Sequence, residues 1–361
     1  MNMIHPRFQL FFFAVLAGAL LGGCRLFDSD ERYSMNPNIV KIKDCCNQSR
    51  IYYGEVFYGH QKEDRIYYSG AGLGYLEMEN TVEVAMDSVI PFETYRPLLG
   101  GKTFTYQSAV NSSEHSLIVR SGYSHKSIGR LYEYDPVQNL FSLVKDSAYH
   151  VSSAVYWHGE ENKLVYYSYG NDQGLQAGYY LHDKITGADS LLLGHLSSYG
   201  SEEMLNGFDL SPDNQKLLIP NVRVEGYELL TPQIIEYTLA TQQADTFDTE
   251  FDISFARIGL WLRYSPDGGR ILYCNYPWGA VGSNTNDDSE MGIIELPSRH
   301  KRILDTNTNE AYTKRSIQLA PTWSANGQHI IYPSGSLHNR GQKGTYSLYI
   351  LQNVDDPRNY K

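Results

Sequence analysis

The chain is poor in the groups that most readily reveal a chemistry. It has four cysteines in 361 residues, with no CxxC spacing and no partnered histidine, so the usual ligand pattern of a zinc site is missing. Beyond the N-terminal stretch the cysteines are Cys45, Cys46 and Cys274. An odd count with one adjacent pair leaves any disulfide pairing open, and Cys274 reads as a small buried hydrophobe in a strand. No run of Lys or Arg occurs, and the formal net charge is -11. That balance argues against nucleic acid, whose binding needs clustered cations to displace counterions. GxSxG and HExxH are both absent, which speaks against an elbow-type serine hydrolase and a zincin. The glycine-rich 70–74 lies between strand-like runs with no helix behind it, and so reads as a tight loop.

What the chain does have is hydrophobic residues at 42% and 30 tyrosines. The first supplies a sizeable globular core, and tyrosine favours strands as well as amphipathic contact surfaces.

The stretch WLRYSPDGGRILYCN (261–275) is a hairpin by composition. Pro266 presets φ, Asp267 bonds its own backbone, and Gly268 accepts a positive φ between two alternating apolar runs. The chain echoes it. FDLSPDNQK (208–216) and PTWSANGQHIIYPSG (321–335) are clear copies, and 55–70, 108–122 and 154–170 are weaker ones. The first apolar residue after each turn is Ile66, Leu117, Leu164, Leu217, Ile271 and Ile330, a period of about fifty residues. A third strand follows each hairpin (75–79, 131–135, 179–183, 234–238, 292–296 and 347–351), and a fourth run follows most of these. The expected fold is all-β: a six-bladed β-propeller of four-stranded antiparallel blades. The sixth repeat lacks a fourth strand, so residues 38–42 are expected to complete that last blade and remove an exposed edge.

The N-terminus stands apart from this pattern. Residues 1–23 combine an early positive charge with an apolar run too short to span a bilayer comfortably, as in an export signal. Leu21-Gly22-Gly23-Cys24 resembles the bacterial lipobox, which implies that Cys24 is acylated and becomes the first residue of the mature chain. Several acyl chains would hold the protein on a membrane. Arg25, where a retention Asp would sit, points to the outer membrane, with the protein facing the periplasm or the surface. Residues 24–37 read as a polar tether and 38–361 as the propeller.

The repeat itself, an apolar strand, S-P-D-G, a second apolar strand and then L-Y-x-x-D, resembles the TolB-type propeller repeat over about residues 40–355. Related blades occur in oligopeptidase propellers and oligogalacturonate lyases. About twenty residues separate Cys24 from the first strands, leaving no room there for TolB's separate N-terminal domain, so a role in the Tol-Pal system does not carry over. The resemblance implies that the SPDG turns share one face with the turns between third and fourth strands, while the loops between second and third strands lie on the other.

Across those latter loops, the interval from the first apolar residue of the second strand to the start of the third grows from about nine residues in the first repeat to about twenty-one in the fifth, and insertions gathered on one face mark a binding surface. They offer Tyr123 and His125, Tyr169 and Asn171, Arg223 and Tyr227, then Trp278, Asn284, Asp287 and Asp288, and finally His338 and Arg340. Aromatic faces with amides and charges suit an envelope protein or a glycan. Residues 284–290 carry oxygen ligands for Ca²⁺ but lack EF-hand spacing, so no cofactor is assigned. The sequence therefore favours a membrane-anchored binding or scaffold module. The rival reading is a metal-assisted polysaccharide lyase or hydrolase with its site in a central pocket.

Overall fold

The computed structural model describes residues 36–45, 56–58, 65–69, 72–79, 83–91, 97, 105–111, 113, 115–120, 130–135, 137–195, 208–221, 224–225, 228–229, 233–248, 258–277, 290–306, 316–318, 321–336 and 346–361. Among them the chain forms six antiparallel sheets and one two-stranded ribbon. The first sheet runs Val56–Tyr58, Arg65–Ser69, Gly72–Glu79, Glu83–Pro91. The second runs Thr105–Val110, Ser116–Arg120, Arg130–Asp135, Leu140–Lys145. The third is Val151–Tyr156, Lys163–Ser168, Gly178–Asp183, Asp189–Gly194. The fourth is Asp209–Leu210, Lys216–Asn221, Gln233–Thr238, Gln243–Asp248, and the fifth Ile258–Tyr264, Arg270–Pro277, Glu290–Glu295, His300–Ile303. In each of these the strands pair in chain order, which is the arrangement of a propeller blade.

The sixth sheet differs. Its hairpin partner is split into Ser316–Gln318 and Thr322–Trp323, both paired with Ile330–Ser336. Tyr346–Leu351 comes next, and the outer position is taken by Ile39–Cys45 from the other end of the chain, with Ile39 opposite Leu351. The tether boundary shifts as a result. Asn36, assigned to the tether by the sequence, is buried, and its Nδ2 donates to Asp305 O at 3.0 Å and to Asn359 Oδ1 at 3.1 Å. Asn359 donates in turn to the carbonyls of Gln352 and Asn353, so both ends of the described chain are fixed to one node.

Side-chain alternation explains why the second strands read as continuous apolar runs. Successive residues of a strand point to opposite faces, and here both faces are covered. Ile271 and Tyr273 pack towards the fourth sheet with Leu218 and Ile234. Leu272 and Cys274 pack towards the sixth with Ile330 and Tyr332. The same arrangement joins the third sheet to the fourth through Leu164's neighbour Val165 and Tyr167 against Phe208, Leu217 and Ile219. It joins the second to the third through Leu131 against Leu164 and Tyr166, and the sixth to the first through Ile331 and Ile350 against Ile66 and Leu76. Cys274 is buried and carries no disulfide, and burial pushes its thiol well above the ordinary value. Cys45 ends the outer strand of the sixth sheet, while Cys46 lies outside the described residues.

Two details depart from the sequence reading. The third strand of the fifth sheet begins at Glu290, two residues ahead of the expected Gly292. Gly292 faces Tyr273, and a Cβ there would meet the phenol oxygen at 2.3 Å and Arg302 O at 2.6 Å, so glycine is required by close approach. The loop expected between Asn221 and Gln233 contains its own ribbon, Val224–Glu225 with Glu228–Leu229. Among the described residues no helix is long and apolar enough to cross a membrane.

Candidate functional site

Each sheet has two ends, one carrying the hairpin turns and the other the longer loops. The turn end is built by local side-chain chemistry. In the fourth, fifth and sixth sheets a serine hydroxyl donates to the acidic or amide oxygen two residues on: Ser211 to Asp213 at 2.6 Å, Ser265 to Asp267 at 2.5 Å, and Ser324 to Asn326 at 2.7 Å. The same serine oxygen accepts from a backbone N–H across the turn, from Lys216, Arg270 and His329 at 2.9 Å in each case. These are the side-chain mimics of a backbone turn that Ser, Asp and Asn supply. The carboxyls of Asp213 and Asp267 are held below the ordinary range, first by these serine bonds.

The turns between third and fourth strands lie at the same end. Lys184 N donates to Asn162 O, Leu239 N to Gln215 O, and Leu296 N to Gly269 O, at 2.8–2.9 Å. The repeated bond fixes both turns of a sheet side by side.

Neighbouring sheets are also stapled there. Glu133 of the second sheet accepts from Tyr156 Oη at 2.9 Å and Lys184 Nζ at 2.7 Å, both of the third. Glu236 of the fourth accepts from Tyr264 Oη of the fifth at 2.9 Å and from Lys216 Nζ at 2.8 Å. Between the third and fourth, Asn214 accepts from His158 N and donates to His158 O. Between the fifth and sixth, Arg270 lies 4.8 Å from the Trp323 ring centroid, bonds Asp355 at 2.9 Å and donates to Gly327 O. Further out, buried Lys145 donates to Asp189 at 2.7 Å, and His182 Nδ1 donates to the other carboxylate oxygen at 3.0 Å. Burial opposes ionisation of Asp189, but the bonds from His182 and Lys145 outweigh it and its pKa is lowered.

A cleft of about 530 Å³ opens between the fourth and fifth sheets at this end, lined among others by Asp213, Lys216, Glu236, Tyr264, Asp267 and Arg299. These polar groups already serve the turns and staples, Arg299 pairing with Asp245. Nearer the inner strands, Asp209 accepts from Tyr264 N at 2.8 Å. Desolvation raises its pKa, against the opposing charge of Arg263.

The loop end is described best at the third sheet. Asn171 is half-buried, and its side chain organises the loop: Oδ1 accepts from Gln173 N and Leu175 N at 2.9 and 3.0 Å, and Nδ2 donates to Ala148 O at 2.7 Å. Gly170 sits at φ +76, where a Cβ would strike Leu175 O at 2.7 Å, so the tight loop needs glycine. The exposed tip is Asp172, Gln173 and Gly174. Beneath it Tyr169 stands edge-on to Tyr167, whose Oη bonds His195 Nδ1 at 2.9 Å. Tyr167 and Tyr179 lie 4.9 Å apart, and Tyr179 is edge-on to Phe208. The buried Tyr179 Oη finds no hydrogen-bond partner among the described residues, and desolvation raises its pKa well above the ordinary value.

Of the expected site, Tyr169 and Asn171 are described, two positions apart in one loop, the first packed on Tyr167 and the second bonding the loop's own backbone and Ala148. Cys24, Tyr123, His125, Arg223, Tyr227, Trp278, Asn284, Asp287, Asp288, His338 and Arg340 lie outside the described residues. Of the acidic 284–290 segment, Glu290 is seen, accepting from Tyr273 Oη at 2.8 Å with Lys301 at 3.4 Å. Among the described residues no group of three or more His, Cys, Asp or Glu is placed to hold a metal ion. The tyrosine cluster with His195 was missed by the sequence reading, although the closely spaced tyrosines of 166–169 and 179–180 were a visible signal.

No family model and no curated protein matches the chain. Solved structures do resemble it. A protein described as TolB from Agrobacterium tumefaciens has a TM-score of 0.51 at 13% identity, covering 87% of this chain and 96% of its own. A calcium-binding regucalcin from the same species gives 0.49 at 10% identity, with 87% and 96% covered. An oligogalacturonate lyase from Vibrio parahaemolyticus gives 0.47 at 12% identity, with 83% and 77% covered. Identities this low speak to the propeller fold alone.

Proposed function

From a β-propeller with a stapled turn end, we propose a cell-envelope lipoprotein that serves as a binding and scaffold module for an envelope protein or a glycan. Acylated Cys24 anchors it to the outer membrane, and the loops between second and third strands contact the ligand. The observation that carries this reading is the contrast in polar bookkeeping between the ends. In the turns of the fourth, fifth and sixth sheets the serine and acid or amide side chains bond within the turn, and Glu133 and Glu236 bond the neighbouring sheet. The loop end of the third and fourth sheets instead gathers Tyr167, Tyr169 and Tyr179 with a phenol lacking a described partner. Tyr167 and Tyr179 are buried, so it is the half-buried Tyr169 that offers an apolar body and a polar tip to a ligand.

The test is capture from solubilised membranes with the acylated protein, run beside a glycan array. Trp278→Ala, and deletion of residues 279–289, should reduce capture at least tenfold, whereas Asp267→Asn at the turn end should leave it unchanged. Equal loss from the turn-end variant would overturn the assignment of faces. Turnover of a polysaccharide by the purified chain would overturn the binding role in favour of an enzyme.

A further inference from the structure

Where the structure describes side chains, the large hydrophobic ones that stand exposed fall on two adjacent sheets. They are Val137, Leu140 and Leu143 of the second, and Ile185 and Leu191 of the third. Single exposed hydrophobics are ordinary, whereas a gathering of them marks a contact surface. Val137 and Ile185 are the most exposed, at 88% and 75%, and they occupy the same place in the repeat. In each turn an aspartate caps the backbone: Asp135 accepts from Val137 N and Gln138 N, and Asp183 from Ile185 N and Thr186 N. The turn is therefore held rigid by its own carboxylate while it projects an apolar tip. Leu140 and Leu143 lie on the outer strand that follows the first of these turns, and Leu191 on the outer strand that follows the second.

The same end receives the N-terminus. Ile39 pairs with Leu351, which pairs with Ile330 directly after the hairpin turn of the sixth sheet. Asn38 O accepts from Gln352 N, and Val354 N donates to Gln328 O in that turn. Twelve residues separate Cys24 from Asn36, a span of at most about 40 Å when fully extended. An acyl anchor at Cys24 therefore attaches to the propeller by a tether that enters at the turn end.

We infer that the turn end is the membrane-proximal face, and that the turn tips Val137 and Ile185 with the adjoining outer strands rest in the surface of a zwitterionic lipid bilayer. This rests on acylation of Cys24. Acyl chains anchor and the apolar tips orient, in line with stable membrane association needing more than one signal. The lipid class follows from charge. Asp135 and Asp183 beside the tips are held ionised by backbone N–H bonds first of all, with His115 facing Asp135, and Lys184 is bound to Glu133. No clustered cation of the two turns is left to attract anionic lipid. The loop end then points away from the bilayer, towards its ligand.

The experiment uses the full acylated chain, carrying Cys45→Ser and Cys46→Ser, in phosphatidylethanolamine and phosphatidylcholine vesicles. A polarity-sensitive fluorophore is placed on Val137→Cys, Ile185→Cys or, at the loop end, Gln173→Cys. Labels at 137 and 185 should be quenched at least threefold more by lipid-borne nitroxide than by aqueous iodide, with the reverse at 173. Flotation of Cys24→Ala is measured in parallel. If wild type floats and Cys24→Ala does not, yet all three labels remain open to iodide, the orientation is wrong and the anchor stands. If 137 and 185 are shielded from both quenchers, a second copy of the chain covers the patch and the inference falls. If Cys24→Ala floats as well as wild type, the anchor reading fails and takes the orientation with it.

Discussion

The two ends of the same strands are made in different ways. At the turn end, structure is written twice: within the turns of the fourth, fifth and sixth sheets by a serine and an acid or amide, and between sheets by Glu–Tyr–Lys groups such as Glu236, Tyr264 and Lys216. At the loop end of the third sheet, Asn171 and Ser168 hold the loop by bonds to its own backbone and to Ala148 and Tyr149, and its exposed tip carries no such cross-sheet bond among those seen. A redundant end tolerates few losses in its buried pairs and gives rigidity. An end held by bonds within its own loop is free to vary in length, and this is where the repeats differ most.

The contrast can be broken most severely at the outer staple. Asp189→Ala leaves Lys145 buried beside two aromatic rings without its carboxylate, and losing one partner of a buried pair costs about 3–5 kcal/mol. Urea unfolding should show that loss, and Lys145→Met in the same chain should restore part of it. At the inter-sheet staple, Glu236→Gln is expected to cost about 1.5–3 kcal/mol because hydrogen bonds to a charged acceptor are weakened. A double-mutant cycle with Tyr264→Phe should return a coupling above about 0.5 kcal/mol. Independence of the two substitutions would mean that the contact does not tie the sheets.

Asn171→Ala at the loop end should cost less, about 1 kcal/mol, while raising amide exchange at Gln173 and Leu175. A global loss comparable to that of Asp189→Ala would erase the distinction between ends.

The smallest expected effect is on pH. Asp189, Asp213 and Asp267 all have depressed native values, so their contribution is present above the unfolded value of 3.8 and is lost as pH falls through the native values. Asp209, raised by burial, acts with the opposite sign, its share fading as pH rises through its native value. Urea midpoints should therefore drop on acidification below pH 3.8. Asp213→Asn with Asp267→Asn should flatten that limb.

Much of the fold was legible because turn chemistry lies in consecutive residues. S-P-D at 211–213 and 265–267 and S-A-N at 324–326 produce the same bonds in the structure, and the second strands were visible as runs covered on both faces. The weaker hairpin at 154–170 lacks the serine, and its turn is instead held by Lys163 N to Glu160 O and by Asn214 of the next sheet. That substitution of a neighbour for a local bond is why its copy looked degraded. The candidate site was less legible. The sequence pointed to loops by length and composition, but it could not show that Asn171 serves its own loop, or that Tyr167, Tyr179, His195 and Phe208 meet.

By itself, then, the sequence determined the period, the strands and the turns, because each depends on alternation or on side chains bonding a backbone two to five residues away. The closing strand expected at 38–42 is found at Ile39–Cys45, but only the tertiary structure decided that Glu133 meets Tyr156, that Asn36 meets Asn359, and that the N-terminus enters beside the turns. Those contacts join residues from about twenty to more than three hundred positions apart, and neither partner of such a pair has a meaning until the sheets are packed against each other.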